Sequence, residues 1–243
     1  MNSSGRLIGV GVGPGDPGLL TVKAIRALNS ADVVAHFAKA GNLSNARAIV
    51  EQYLRAELQE LPLLYPITTE HATDDLAYRN AIQKFFDEAA SDIATHLESG
   101  RTVAVLSEGD PLFFGSYMHL HIRLMKHYRT EVIPGVTGMS GCWSAAGLPL
   151  AQGDDVLTAL PATLKEDELI RRFRQNDASV VMKVGRHLAK VRRALHSTQR
   201  LAGAIYVERG TMDDQRLMPL IEKEDDAAPY FAIVLVPGRA WAA

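Results

Sequence analysis

The sequence predicts an α/β protein made of two α/β domains with a ligand cleft between them. Three observations point there. Short Val- and Ile-rich runs alternate with long amphipathic stretches, as in open α/β sheets. A Gly- and Pro-dotted stretch from Pro134 to Pro149 interrupts that alternation, and beyond it strands and helices resume in a different order. With 243 residues, 47% hydrophobic and 22% charged, the chain has a globular composition and length for a sizeable core, which sets aside disorder, collagen and repeat arrays. The expected division is residues 1–135 and 136–243, a typical pairing of domain sizes.

In the first domain, strands are expected at Leu7–Val12, Asp32–Phe37, Leu58–Leu63, Thr102–Leu106 and Glu131–Ile133. The helices between them are expected at Leu19–Asn29, Asn45–Leu54, Asp75–Leu97 and Ser116–Tyr128. The longest helix is opened by Thr73-Asp74-Asp75, side chains that accept from helix N–H groups, and stopped by Gly100. Leu76, Ile82, Phe85, Phe86, Ala89, Ile93 and Leu97 fall on roughly one of its faces. The stretch Pro134–Pro149 reads as a turn-rich hinge. Strands then follow at Val156–Leu160, Ser179–Val184, Ala204–Glu208 and Phe231–Val236, with helices at Asp167–Gln175 and His187–Ser197.

Charge and cysteine usage narrow the function. Lys plus Arg number 26 and Asp plus Glu 28, a net charge of −2, so the overall basic field of a nucleic-acid binder is absent. The single cysteine, Cys142, excludes an internal disulfide and a Cys-based metal cluster, and no metal site is expected; its small neighbours suit a small buried hydrophobe. No apolar run approaches the roughly 20 residues that span a bilayer. The Gly-rich start breaks at Pro14 without a signal-peptide core, so a cytoplasmic protein is expected.

The first expected strand runs into Gly13-Pro14-Gly15-Asp16-Pro17-Gly18, which satisfies G-x-G-x-x-G before a helix. A dinucleotide loop needs backbone N–H donors for a pyrophosphate. Pro14 and Pro17 supply none, Asp16 brings a carboxylate, and Asp32 begins the second strand where an acid should end it. A nicotinamide or flavin site is therefore disfavoured, and a tight turn without ligand stays open. A second loop, Ser107-Glu108-Gly109-Asp110-Pro111-Leu112-Phe113-Phe114-Gly115, again puts glycine, acid and proline at the carboxyl end of a strand. Two acidic loops at that edge repel polyphosphate and suit a ligand with hydroxyls and positive charge, such as S-adenosylmethionine.

Taken together, the motifs carry a resemblance. GVGPGDPGLLTVKAIRAL at 11–28, SEGDPLFFGS at 107–116, PGVTGMSGCWSAAGLPL at 134–150, VVMKVG at 180–185 and YVERGTMDDQ at 206–215 resemble, in that order, the tetrapyrrole methylase family. The resemblance implies S-adenosylmethionine as co-substrate, two α/β domains with the cofactor cleft between them, and a homodimer. Within the family, HFAKAGNLSNARAIV at 36–50 and LPLLYPITTE at 61–70 are most similar to the branch that methylates carbon 20 of precorrin-2. The branch acting on the cobalt-bearing ring shares both stretches. More remote alternatives are another precorrin methylase or a diphthine synthase.

The resemblance assigns Pro14, Gly109, Asp110, Phe113, Thr137, Gly138, Val184, Gly185 and Gly210 to the cofactor. Beside that stand plainer readings, Asp110 as a turn acid and Phe113 as ordinary core. The polycarboxylate substrate calls for basic groups in one cleft; Lys39, Arg47, Lys183 and Arg186 are the candidates. The run from Lys190 to Arg193 reads more readily as a solvated helix face. Where relatives that act on uroporphyrinogen have an acid at the end of the second strand, this chain has Phe37, and where many carry Gly-Gly-Asp it has Glu108-Gly109-Asp110. His36 and Glu108 are therefore the candidate catalytic, proton-handling residues.

Overall fold

The computed structural model describes residues 5–66 and 76–238. The chain divides into two compact units, Met1–Thr137 and Gly138–Ala243, each carrying a five-stranded sheet.

In the first unit β1 (Arg6–Gly11), β2 (Val33–Lys39), β3 (Gln59–Tyr65), β4 (Thr102–Ser107) and β5 (Arg129–Ile133) run parallel in the order β3-β2-β4-β1-β5. A parallel sheet covered on both sides needs strands that are apolar on both faces. Leu7, Val33, Ala35, Val103 and Val105 meet one core, with residues of α3 (Leu76–Glu98) and α4 (Tyr117–Leu124). Ile8, Val10, Val34, Ala104 and Leu106 meet the other, with Ala24 and Leu28 of α1 (Val22–Ser30) and Ala46 and Ile49 of α2 (Asn45–Val50). Each fully buried Leu, Ile or Phe contributes about 1.5–3 kcal/mol, so these layers hold short helices that would not persist alone. β1 and β4 are neighbours, yet the chain leaves them toward opposite faces, to α1 and to α4. That divergence is the place where open α/β sheets bind ligands.

In the second unit β6 (Leu157–Pro161), β7 (Ala178–Met182), β8 (Ile205–Glu208), β9 (Arg216–Pro219) and β10 (Ala232–Val236) form a mixed sheet, β6-β7-β10-β8-β9. Only β6 and β7 pair in parallel. One face packs on Leu169 and Phe173 of α6 (Glu166–Gln175) and on Leu188, Val191 and Leu195 of α7 (Leu188–Ser197). The other packs on Cys142 of α5 (Gly138–Ala145). Three edge strands carry proline: Pro62 in β3, Pro161 ending β6 and Pro219 ending β9.

Several elements differ from expectation. The stretch read as a hinge contains α5, because its small residues let the helix lie close on the second sheet; a side chain at Gly210 would press on Cys142 Sγ at 2.6 Å. α1 starts three residues late, since Pro17–Leu19 is a separate 3-10 turn and Thr21 Oγ1 accepts the Ala24 N–H at 3.0 Å. α2 stops at Val50 and α4 at Leu124, each before its expected end. β9 was not expected, for RLMP carries neither alternation nor β-branched residues. Leu76 is exposed rather than on the buried face of α3. The Thr73–Asp75 cap and residues 67–70 lie outside the described residues.

Candidate active site

Three loops meet at the carboxyl edge of the first sheet. The Val12 N–H donates to the Ser107 carbonyl at 3.0 Å, and the Gly109 N–H to the Gly13 carbonyl at 2.8 Å. Gly13 and Gly109 both have positive φ, 80° and 65°, which glycine adopts without cost. A side chain at Gly11 would strike Gly135 N at 2.5 Å, and one at Gly135 would be driven into the Gly109 carbonyl oxygen. The backbones after β1, β4 and β5 therefore touch with no side chain between them. Asp110 braces the contact: Oδ1 accepts the Leu112 N–H at 2.9 Å and Oδ2 the Gly135 N–H at 3.2 Å. Asp16 Oδ1 accepts the Gly18 N–H at 2.7 Å, occupying a donor that a pyrophosphate would need. Asp32 Oδ2 accepts the Thr102 N–H at the opposite, amino end of the sheet, far from any ribose at this edge. Phe113 is half-buried, its ring edge-on to Phe114 at 4.8 Å.

The two proton-handling candidates have different surroundings. Glu108 follows β4, and its carboxyl is pushed up from the ordinary value, chiefly by burial, against hydrogen bonds from its own N–H and from that of Ala46. His36 on β2 is 8% exposed. Its Nε2 faces Glu60 Oε2 at 3.3 Å, while its Nδ1 is buried with no hydrogen-bond partner. Burial lowers the His36 pKa, outweighing Glu60, and the hydrogen bond from Arg47 holds Glu60 below the usual carboxylate range. A neutral imidazole beside an ionised carboxylate carries its proton on Nε2, because the carboxylate only accepts. His36 thus presents no accessible nitrogen.

Among the substrate candidates, Arg47 is committed: Nε and Nη2 donate to the two Glu60 oxygens at 3.1 and 3.0 Å, and Nη1 to Glu51 at 2.9 Å. Lys39, Lys183 and Arg186 are exposed. Pro14 lies in the first loop, next to Gly13. In the second unit, the carboxyl ends of β6, β7 and β8 and the start of β10 share one edge. Val184 and Gly185 follow β7 there, and Gly210 follows β8. The Val184 side chain is buried in the core, so only its backbone is available to a ligand. Gly210 makes room for Cys142, whose thiol is pushed up to about 12 by burial. Thr137 precedes α5 and Gly138 begins it; a side chain at Gly138 would meet only Ile233 Cδ1, at 4.0 Å. Lys190, Arg192 and Arg193 bind Leu164 O, Asp226 and Glu166 within the unit. Glu60 escaped the sequence reading, since an acid on a strand that begins Gln59-Glu60 gives no signal of an Arg partner 13 residues away.

The two loops 13–18 and 107–115 contain Asp16, Glu108 and Asp110 and neither Lys nor Arg. Such a donor set fits a sulfonium, an ammonium and ribose hydroxyls, and it does not fit polyphosphate. The family model of tetrapyrrole (corrin/porphyrin) methylases matches residues 6–223, and the chain belongs to that family. It is 62% identical over 234 residues to a precorrin-2 C(20)-methyltransferase of Sinorhizobium sp, covering 96% of each chain. To a cobalt-precorrin-2 C(20)-methyltransferase of Salmonella typhimurium it is 29% identical, covering 98% of each. The fold is similar to the crystal structure of the uroporphyrin-III C-methyl transferase of Thermus thermophilus complexed with S-adenyl homocysteine, with TM-score 0.64 and 22% identity over 98% of this chain and 99% of that one.

Proposed function

We propose that this chain is an S-adenosylmethionine-dependent C-methyltransferase that methylates carbon 20 of precorrin-2, giving precorrin-3A in cobalamin biosynthesis. The observation that carries the substrate is the end-to-end 62% identity to a precorrin-2 enzyme, against 29% to one acting on the cobalt form. When bound, S-adenosylmethionine supplies a methyl already activated on a sulfonium. The residues proposed to hold it are Pro14, Gly109, Asp110, Phe113, Thr137, Gly138, Val184, Gly185 and Gly210, Asp110 acting by fixing the loops.

Carbon 20 supplies the electron pair of the new carbon–carbon bond and loses one proton, and Glu108 is the acceptor. A carboxyl raised by burial is a stronger base than an ordinary one, which suits proton removal near neutral pH. Holding the reacting atoms in line and excluding water does the rest. Lys39, Lys183 and Arg186 meet ring carboxylates as exposed cations. The working form is a cytoplasmic homodimer.

The test supplies S-adenosylmethionine with metal-free precorrin-2 or with its cobalt form, and follows product mass and methyl position. One methyl at carbon 20 of the metal-free ring is expected. Methylation of the cobalt form alone would move the enzyme to that substrate, and no methylation of either would overturn the substrate reading.

A further inference from the structure

The loop from β4 to α4 is fastened at its two ends by different means. Near its start, the Gly109 N–H bonds the Gly13 carbonyl, and Asp110 accepts from Leu112 and Gly135. At its end stand Phe114, with φ 55°, and Gly115, where a side chain would strike Ser107 Oγ at 2.7 Å. A left-handed conformation strains a residue with a bulky side chain and lasts only where the surroundings over-determine it. Ser116 follows at the cap of α4, a position where serine commonly accepts a helix N–H. Among the described residues it makes no such bond, and Ser116 Oγ pairs with the Tyr65 hydroxyl.

Tyr65 ends β3, an edge strand, and β2 lies between β3 and β4. Its side chain therefore reaches past the end of β2 to the loop that follows β4. The ring stacks on Phe37 of β2, with centroids 5.6 Å apart and planes at 24°, and lies against Phe85 of α3 at 4.8 Å. A side chain locked by packing presents its polar tip at a fixed point.

We infer that Tyr65 is a positioning residue: through Ser116 its hydroxyl fixes the far end of the loop whose Gly109, Asp110 and Phe113 are proposed to hold S-adenosylmethionine. The inference rests on that reading of the loop. The aromatic stack on β2 and α3 is the footing, and the pair of hydroxyls is the strut that keeps Phe113 and the strained Phe114 in place.

The test is a double-mutant cycle in the full chain, with S-adenosylhomocysteine titrated by calorimetry into wild type, Tyr65→Phe, Ser116→Ala and the double variant. Tyr65→Phe keeps the stacked ring and removes the hydroxyl alone. Each single change is expected to weaken binding about fivefold, and the double change no more than either. A purely architectural pair would lower the melting temperature and leave the affinity where it was. Unchanged affinity in Tyr65→Phe, or losses that multiply in the double variant, overturns the inference. Should Tyr65→Phe fail to fold, Ser116→Ala carries the same expectation, since its hydroxyl makes no cap bond. A wild type that binds no S-adenosylhomocysteine overturns the cofactor reading of the loop, and the strut with it.

Discussion

Glu108 occupies a position where burial works against its own charge. In the folded protein its pKa is raised, so its favourable contribution to stability is complete below the unfolded value and is lost as pH rises through the folded one. Glu108→Gln removes that loss. Its melting temperature is therefore expected to exceed that of the wild type at about pH 8 by more than at about pH 5. The same change removes the proton acceptor, and methyl transfer is expected to fall about 100-fold. Calorimetry at the two pH values and a turnover assay check both halves; a variant less stable at the higher pH would contradict the placement of Glu108. Cys142 is the contrasting case, a buried thiol touching Gly210 and serving packing alone.

At the scale of elements, the glycine contacts at the sheet edge separate tight positions from roomy ones. Gly135→Ala would push a methyl into the Gly109 carbonyl. The loops must part, which is expected to cost about 1–3 kcal/mol and to weaken S-adenosylmethionine binding. Gly138→Ala meets open space and is expected to keep the fold. Chemical denaturation and titration calorimetry on the pair check this, and equal losses would overturn it. Most of the strands, and the loops after β1 and β4, were legible in the sequence because strands buried on both faces write themselves as short apolar runs, here followed by glycine- and proline-bearing loops. α5 was not, since Gly138, Gly141 and Gly147 read as breakers when the close approach of helix to sheet is unseen. Glu60 and the inward turn of His36 were invisible for a related reason: side-chain partners 13 and 24 residues apart leave no periodic trace.

At the scale of the whole molecule, each unit has cores of its own, and each is tied by residues that no motif marks. Arg200 in the second unit donates to the carbonyls of Phe173, Asn176, Asp177 and Pro237, joining the end of α6 to the start of β7 and the end of β10. Arg200→Ala leaves part-buried carbonyls unmet and is expected to destabilise the second unit by on the order of 3 kcal/mol. Limited proteolysis within residues 138–238, faster than in the wild type, would register it; unchanged cleavage would contradict it.

The prolines at the sheet margins have a consequence for how the protein behaves in a crowd. An edge strand is an invitation for a neighbouring chain to add a strand of its own and continue into a ribbon. Proline removes a donor from the row such a neighbour would need. With Pro62, Pro161 and Pro219 on three of the four edge strands, two open sheets can be kept concentrated without polymerising through their borders.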